Sequence, residues 1–353
     1  MDTTRETTSR RVASAAAEEG RKPVKAGEAT MKAVVQDTNG SADVLQLRDI
    51  DQPEVGDNDV LIRVHAAGVD PGVWHLMTGL PYLVRLFGYG LRKPKTRIRG
   101  RDVAGRVEAI GKGVTKFRAG DEVMGTCEGS FAEYAVAGEG KLAPKPTNLT
   151  FEQAAAVPIS ASTALQALRD QGRMEAGQKV LVIGASGGVG TFAVQLAKAF
   201  GATVGGVCST AKVDLVRSIG ADHIIDYTRE DLASDGQRYD LILDIGGNRS
   251  LSHLRQALAP KGTLVIIGGE GGGRWTGGFD RALRAFMLSP FVGQGLRGLV
   301  SKETSDDLVV LTKLIEASKV TPVVDRIYPL SEVPEAVRYL EAGHARGKVV
   351  ITV

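Results

Sequence analysis

The chain has 353 residues, with 44 Lys+Arg against 41 Asp+Glu and a net charge of +3. At roughly 100–200 residues per domain it predicts two or three domains. With 43% apolar and 24% charged residues, a wholly disordered chain is excluded. The two cysteines, Cys127 and Cys208, exclude a disulfide scaffold and a four-cysteine zinc site, and no run of about 18 apolar residues offers a membrane span.

Glycine is the outlier. At about 7% usage one expects roughly 25, and there are 44, which predicts many tight turns and close backbone approaches.

Residues 1–30 contain no Phe, Tyr, Trp, Leu or Ile and are expected to form a disordered tail. Residues 31–150 read as β-rich. MKAVVQ opens the section at Met31, LQLRDI (45–50) and DVLIRVHAAG (59–68) alternate as strands do, and residues 105–146 are short strands between glycine turns. From Thr150 to Gly172 the pattern turns helical, with Thr150 as N-cap.

Strands and helices then alternate. KVLVIGA (179–185) is a continuous apolar strand, followed by helix 191–201, strand 202–209, helix 213–220 and strand 223–227. Strand 241–247, helix 251–262 and strand 263–269 continue the series. Such alternation predicts a doubly wound parallel sheet. Helices at 305–319 and 331–343 and a strand at 348–353 complete the chain.

Residues 184–190 read GASGGVG between a buried strand and a helix. In that context Ser186, Gly187, Gly188, Val189 and Gly190 predict a dinucleotide turn. There the backbone nears a pyrophosphate, which faces the helix N-terminus. The next strand ends in Cys208-Ser209-Thr210-Ala211-Lys212, without the acid that usually holds the ribose of NAD. Ser209, Lys212 and Tyr227 suit a 2′-phosphate instead, so the expected cofactor is NADPH. Alternatively Ser209 only caps a helix and Lys212 is solvated.

Five segments carry a family resemblance: GVDPGVWHLMTG (68–79), 100–125, EQAAAVPISASTALQAL (152–168), GASGGVG and GKVVITV (347–353). Through them the chain resembles the zinc-independent quinone oxidoreductase branch of the medium-chain dehydrogenase/reductase superfamily. The resemblance implies an α/β protein with two domains. A GroES-like β-rich catalytic domain would take residues 31–155 and 296–353, and a Rossmann domain residues 156–295. It also implies hydride transfer in the cleft between them and, usually, a homodimer. By the same resemblance Thr163, Asn248, Gly268 and Gly269 border the nicotinamide.

The catalytic zinc ligands of related alcohol dehydrogenases fall here on Asp70, Arg101 and Ile159. These cannot form the N/S set that zinc prefers, so no metal is expected. The expected reaction is NADPH-dependent reduction of a quinone or an α,β-unsaturated carbonyl. A carbonyl reductase or alcohol dehydrogenase is the alternative.

His75 takes the position of a pocket tyrosine or proton-relay histidine and is a candidate proton donor; a plain pocket-wall or surface histidine is the other reading. Arg101 is expected to pair with Asp70 or Asp102 and fill the metal's place, unless it points to water with the basic run Arg85, Arg92, Lys93, Lys95, Arg97 and Arg99. That run is read as a solvated face, with RNA binding as a second-class alternative because some relatives bind RNA; nucleic acid is not the expected partner. Lys348 is read as solvated or as serving the phosphate side. Trp74, Tyr82, Phe286, Met287 and Phe291 could wall a flat, electron-poor substrate. The expected location is cytoplasmic.

Overall fold

A computed structural model describes residues 29–82, 85, 94–232, 236–268 and 273–353. Most of the expected tail, Gly269 and residues 83–84 and 86–93 of the basic run lie outside the described residues.

The β-rich part begins with β1 (Thr30–Val35), β2 (Gln46–Asp51), β3 (Asp59–Val69) and α1 (Pro71–Thr78). It continues through β4 (Asp102–Ile110), β5 (Glu122–Thr126), β6 (Tyr134–Gly138) and β7 (Leu142–Pro144). Two short helices follow, α2 (Phe151–Ala155) and α3 (Pro158–Gln166). Thr150 caps α2 in a reciprocal box with Gln153, and Pro158 opens α3, so the helical run expected from Thr150 to Gly172 is broken at Pro158.

Then come β8 (Lys179–Ile183), α4 (Gly188–Ala199), β9 (Thr203–Cys208), α5 (Val213–Ser218), β10 (His223–Asp226) and β11 (Tyr239–Asp244). After them lie α6 (Leu251–Ala257), β12 (Leu258–Ile266), α7 (Phe279–Leu288) and β13 (Gly295–Gly298). The helix expected to 262 stops at Ala257, because buried Leu258 pairs with Tyr239 as a strand residue. The chain closes with α8 (Ser305–Glu316), β14 (Val324–Pro329), α9 (Val333–Glu341) and β15 (Lys348–Thr352).

The second sheet has the order β10-β9-β8-β11-β12-β13 and every neighbour is parallel. The strand order reverses between β8 and β11, the place where doubly wound sheets bind ligands. This sheet runs past residue 295, where the sequence reading places a domain boundary, because β13 pairs with β12.

The other sheet has the order β14-β15-β3-β4-β5-β7, with β6 also on β3 and antiparallel pairing except between β14 and β15. One apolar cluster joins the sheets, from Ala66 and Ala104 through Leu165 to Val182 and Phe192. The two sheets therefore share buried surface.

Candidate active site

A cleft of about 710 Å³ lies between the two sheets. It brings together ten of the site residues read from the sequence: Asp70, His75, Ser186, Gly187, Gly188, Val189, Ser209, Lys212, Tyr227 and Asn248.

The turn after β8 is made of backbone. No side chain caps α4, so its first N–H groups are left for a ligand, and the helix dipole favours an anion there. Gly190 does not line the cleft but packs under it. A Cβ there would lie 2.0 Å from the Gly184 carbonyl oxygen, so the helix could not approach β8. Gly268 has a similar role after β12, where a Cβ would lie 1.9 Å from the Ile245 oxygen. Thr163 is buried in α3 and its hydroxyl donates to the Ile159 carbonyl at 2.7 Å.

At the other end of the turn, the Ser209 side chain caps nothing. Lys212 is not solvated: its Nζ donates to the carbonyls of Ala345 at 2.8 Å and Gly343 at 3.2 Å. Burial and the neighbouring Arg346 guanidinium hold its pKa below the ordinary lysine value. The loop before β15 is thus tied to the dinucleotide turn, and Gly347 N–H also donates to the Ser186 carbonyl at 2.9 Å.

Buried charge lies directly beside the turn, where a Cβ on Gly188 would meet the Lys348 side chain at 3.0 Å. Asp102 and Lys348 are both buried, 0% and 2% exposed, and Lys348 Nζ lies 2.8 Å from Asp102 Oδ2. The second Asp102 oxygen accepts from Ile159 N–H at 2.8 Å, at the start of α3. The reading of Lys348 as solvated is therefore wrong: a buried ammonium needs a partner, and Asp102 supplies it. Burial pushes the Asp102 carboxyl up, and the Lys348 charge opposes this.

The expected pairing of Arg101 is also wrong. Its guanidinium turns away from the cleft and pairs with Glu303, which accepts a further bond from Thr126 Oγ1 at 3.1 Å. Glu303 lies between β13 and α8, far along the chain, and nothing local to Arg101 signals it. The basic run is a solvated face only in part: Lys95 and Arg97 are exposed, whereas Arg99 is buried. Arg99 is 5% exposed and donates to Gln36 at 2.7 Å, Arg97 pairs with Asp37 at 2.6 Å, and Arg85 donates to the Gly79 carbonyl at 2.8 Å.

His75 sits on α1, with Nδ1 2.9 Å from the Leu80 carbonyl oxygen. A carbonyl only accepts, so Nδ1 carries a proton and Nε2 is the nitrogen able to exchange one. Trp74 lines the cleft beside it. Tyr82 instead packs against Trp275 with ring centroids 5.2 Å apart. Phe286, Met287 and Phe291 are 71%, 63% and 85% exposed and do not line the cleft, so they form no substrate wall.

Sequence reading missed Arg249 and Glu341, which line the cleft. It also missed the thiol of Cys208, which lines it too and is raised by burial to about 11, outside nucleophilic range at neutral pH. Arg249 follows Asn248 directly, so proximity to that residue was the available signal.

Comparison with known proteins agrees with this architecture. Residues 56–147 match the alcohol dehydrogenase GroES-like domain and residues 219–351 the zinc-binding dehydrogenase domain. The chloroplastic NADPH-dependent alkenal/one oxidoreductase of Arabidopsis thaliana is 36% identical over 91% of this chain and 79% of its own length. Human quinone oxidoreductase is 32% identical over 92% and 98%. The structure of the quinone oxidoreductase from Coxiella burnetii superposes with a TM-score of 0.82 at 31% identity, covering 92% of this chain and 100% of that one. The chain belongs to the medium-chain dehydrogenase/reductase superfamily, in its quinone-reductase branch.

Proposed function

We propose that the protein is an NADPH-dependent oxidoreductase that reduces quinones or α,β-unsaturated carbonyls without zinc. The cleft itself carries this reading: it joins a backbone turn suited to a pyrophosphate to Asp70, and the metal-ligand positions are occupied by Asp70, Arg101 and Ile159. A carboxylate, a guanidinium and an aliphatic chain do not make a zinc set, and the buried Asp102–Lys348 pair ties β4 to β15 within a single sheet.

The residues present fit a phosphorylated dinucleotide. The N-terminus of α4 would take the pyrophosphate. Ser209, Lys212 and Tyr227 would take the 2′-phosphate, joined by Arg346, whose charge already acts on Lys212. Asn248, Thr163 of α3 and the loop holding Gly268 would border the nicotinamide. When bound, NADPH supplies a hydride. The protein orients the acceptor, excludes water and returns a proton to the oxygen that gains charge. His75 suits that last role, since its ring is held through Nδ1 and Nε2 is left to exchange the proton.

The test is NADPH oxidation with a quinone, an enone and a simple aldehyde, with and without a strong chelator. Turnover of the first two, unaffected by chelation, supports the reading. Chelator-sensitive turnover of the aldehyde alone favours a metal-dependent alcohol dehydrogenase.

We further propose a homodimer formed through the β13 edge. That strand ends the parallel sheet, and Leu283, Phe286, Met287, Phe291 and Val300 lie exposed around it. Light scattering of the purified protein tests this. A cytoplasmic location is proposed on the two free, buried cysteines, and fractionation of the source cells tests it. No helix among the described residues is long and apolar enough to cross a membrane.

A further inference from the structure

Asp70 occupies an unusual electrostatic position. It follows β3 and caps α1, with Oδ1 accepting from Gly72 N–H at 2.7 Å. The residue is only 7% exposed and lines the cleft. Its second oxygen, Oδ2, is buried and meets no donor among the described residues.

The nearby cations are already committed. Lys348 is held by Asp102 at 2.8 Å, and Arg101 is turned to Glu303. Asp70 is close enough to Asp102 for its charge to raise that carboxyl. The floor therefore holds two carboxylates against one ammonium, with one negative charge left over. A buried charge without a partner is costly, and a cation arriving in the cleft would relieve that cost.

We propose that the Asp70 carboxylate sets the balance between the two oxidation states of the bound cofactor, holding the oxidised, cationic nicotinamide more tightly than the neutral, reduced one. The inference rests on the cofactor reading above. With the phosphates at the N-terminus of α4 and at Lys212, the wall carrying Asp70 and His75 is left to face the ring. Only the oxidised ring is positively charged, so only it gains from the unpaired carboxylate. A site that favours the oxidised form makes the reduced form a stronger hydride donor in the same measure. Asp70 in this role takes no proton and forms no bond to the acceptor.

The experiment is equilibrium binding of NADP+ and of NADPH, by calorimetry or fluorescence, to the wild-type protein and to Asp70→Asn and Asp70→Ser. Asn and Ser both cap helices about as well as Asp, so the fold is kept while the charge is removed; melting curves of the three proteins check this. The affinity for NADP+ relative to NADPH is expected to fall about tenfold in both variants, equivalent to about 1.4 kcal/mol. A ratio unchanged in the variants, or a parallel loss of both affinities, overturns the role of Asp70 and leaves the cofactor reading standing. Failure of the wild-type protein to bind either form overturns both.

Discussion

The two walls of the cleft are built from opposite materials. One is the turn 184–190, nearly all backbone, shaped by what is missing at Gly187 and Gly190. The other is buried charge: Asp70 and Lys348 line the cleft, and Asp102, behind it, holds Lys348. The difference teaches where each wall is vulnerable. The backbone wall fails when atoms are added, and the charged wall fails when atoms are removed.

The largest expected effect therefore comes from deleting a charge. Lys348→Met strands the Asp102 carboxylate at 0% exposure and is expected to cost about 3–5 kcal/mol of stability. Urea unfolding measures it. Adding Asp102→Leu to the same chain should restore much of the loss, because an apolar pair replaces a broken ionic one. If the double variant is as unstable as the sum of the singles, the pair is not the unit that matters.

The backbone wall gives the next effect. Gly190→Ala places a Cβ 2.0 Å from the Gly184 oxygen and should cost about 3 kcal/mol through forced backbone shifts. At Gly187 the nearest atom is 3.6 Å away, so Gly187→Ala should leave the melting curve within about 1 kcal/mol. Its methyl would instead intrude where the pyrophosphate approaches, and NADPH affinity should fall about tenfold. Equal effects of the two alanines on stability would contradict the division between a packing glycine and a ligand glycine.

A smaller effect is expected at the adenosine end. Ser209→Asp sets a carboxylate where the 2′-phosphate is read to lie. It should erase or invert a preference for NADPH over NADH of about tenfold, near 1.4 kcal/mol. Competition binding measures the ratio, and an unchanged preference would move the phosphate elsewhere.

The smallest effect belongs to Arg101→Leu. The side chain is 33% exposed, and Glu303 keeps Thr126 and Lys141 as partners. Destabilisation of about 1 kcal/mol is expected, with turnover little changed. A large fall in turnover at unchanged stability would give Arg101 a part in the reaction.

The same contrast explains what was legible in the chain. The backbone wall is local: KVLVIGASGGVG shows an apolar strand, a glycine turn and a helix in consecutive residues, and its ligand-facing glycines can be named from spacing alone. The charged wall is assembled from residues 102 and 348, and Arg101 finds its partner at Glu303. No periodicity links such positions, and a lysine opening the strand KVVIT looks like a surface residue until β15 is seen pairing beside β3. The β13 segment Gly295–Gly298, reading GLRG, escaped for another reason. Two glycines and an arginine carry little strand preference, and only the docking of Leu296 into the second sheet makes it a strand. Phe286 and Met287 of α7 illustrate the converse, since the sequence offers them as a substrate wall but they lie exposed and outside the cleft lining.

The central claim is metal-free reduction by NADPH in this cleft. Initial rates of NADPH oxidation with a small quinone and a small enone, in the continuous presence of a strong chelator, test it most directly. Sustained turnover of at least one acceptor, at the rate seen without chelator, is the predicted result. Turnover that disappears with the chelator and returns on adding zinc would contradict it.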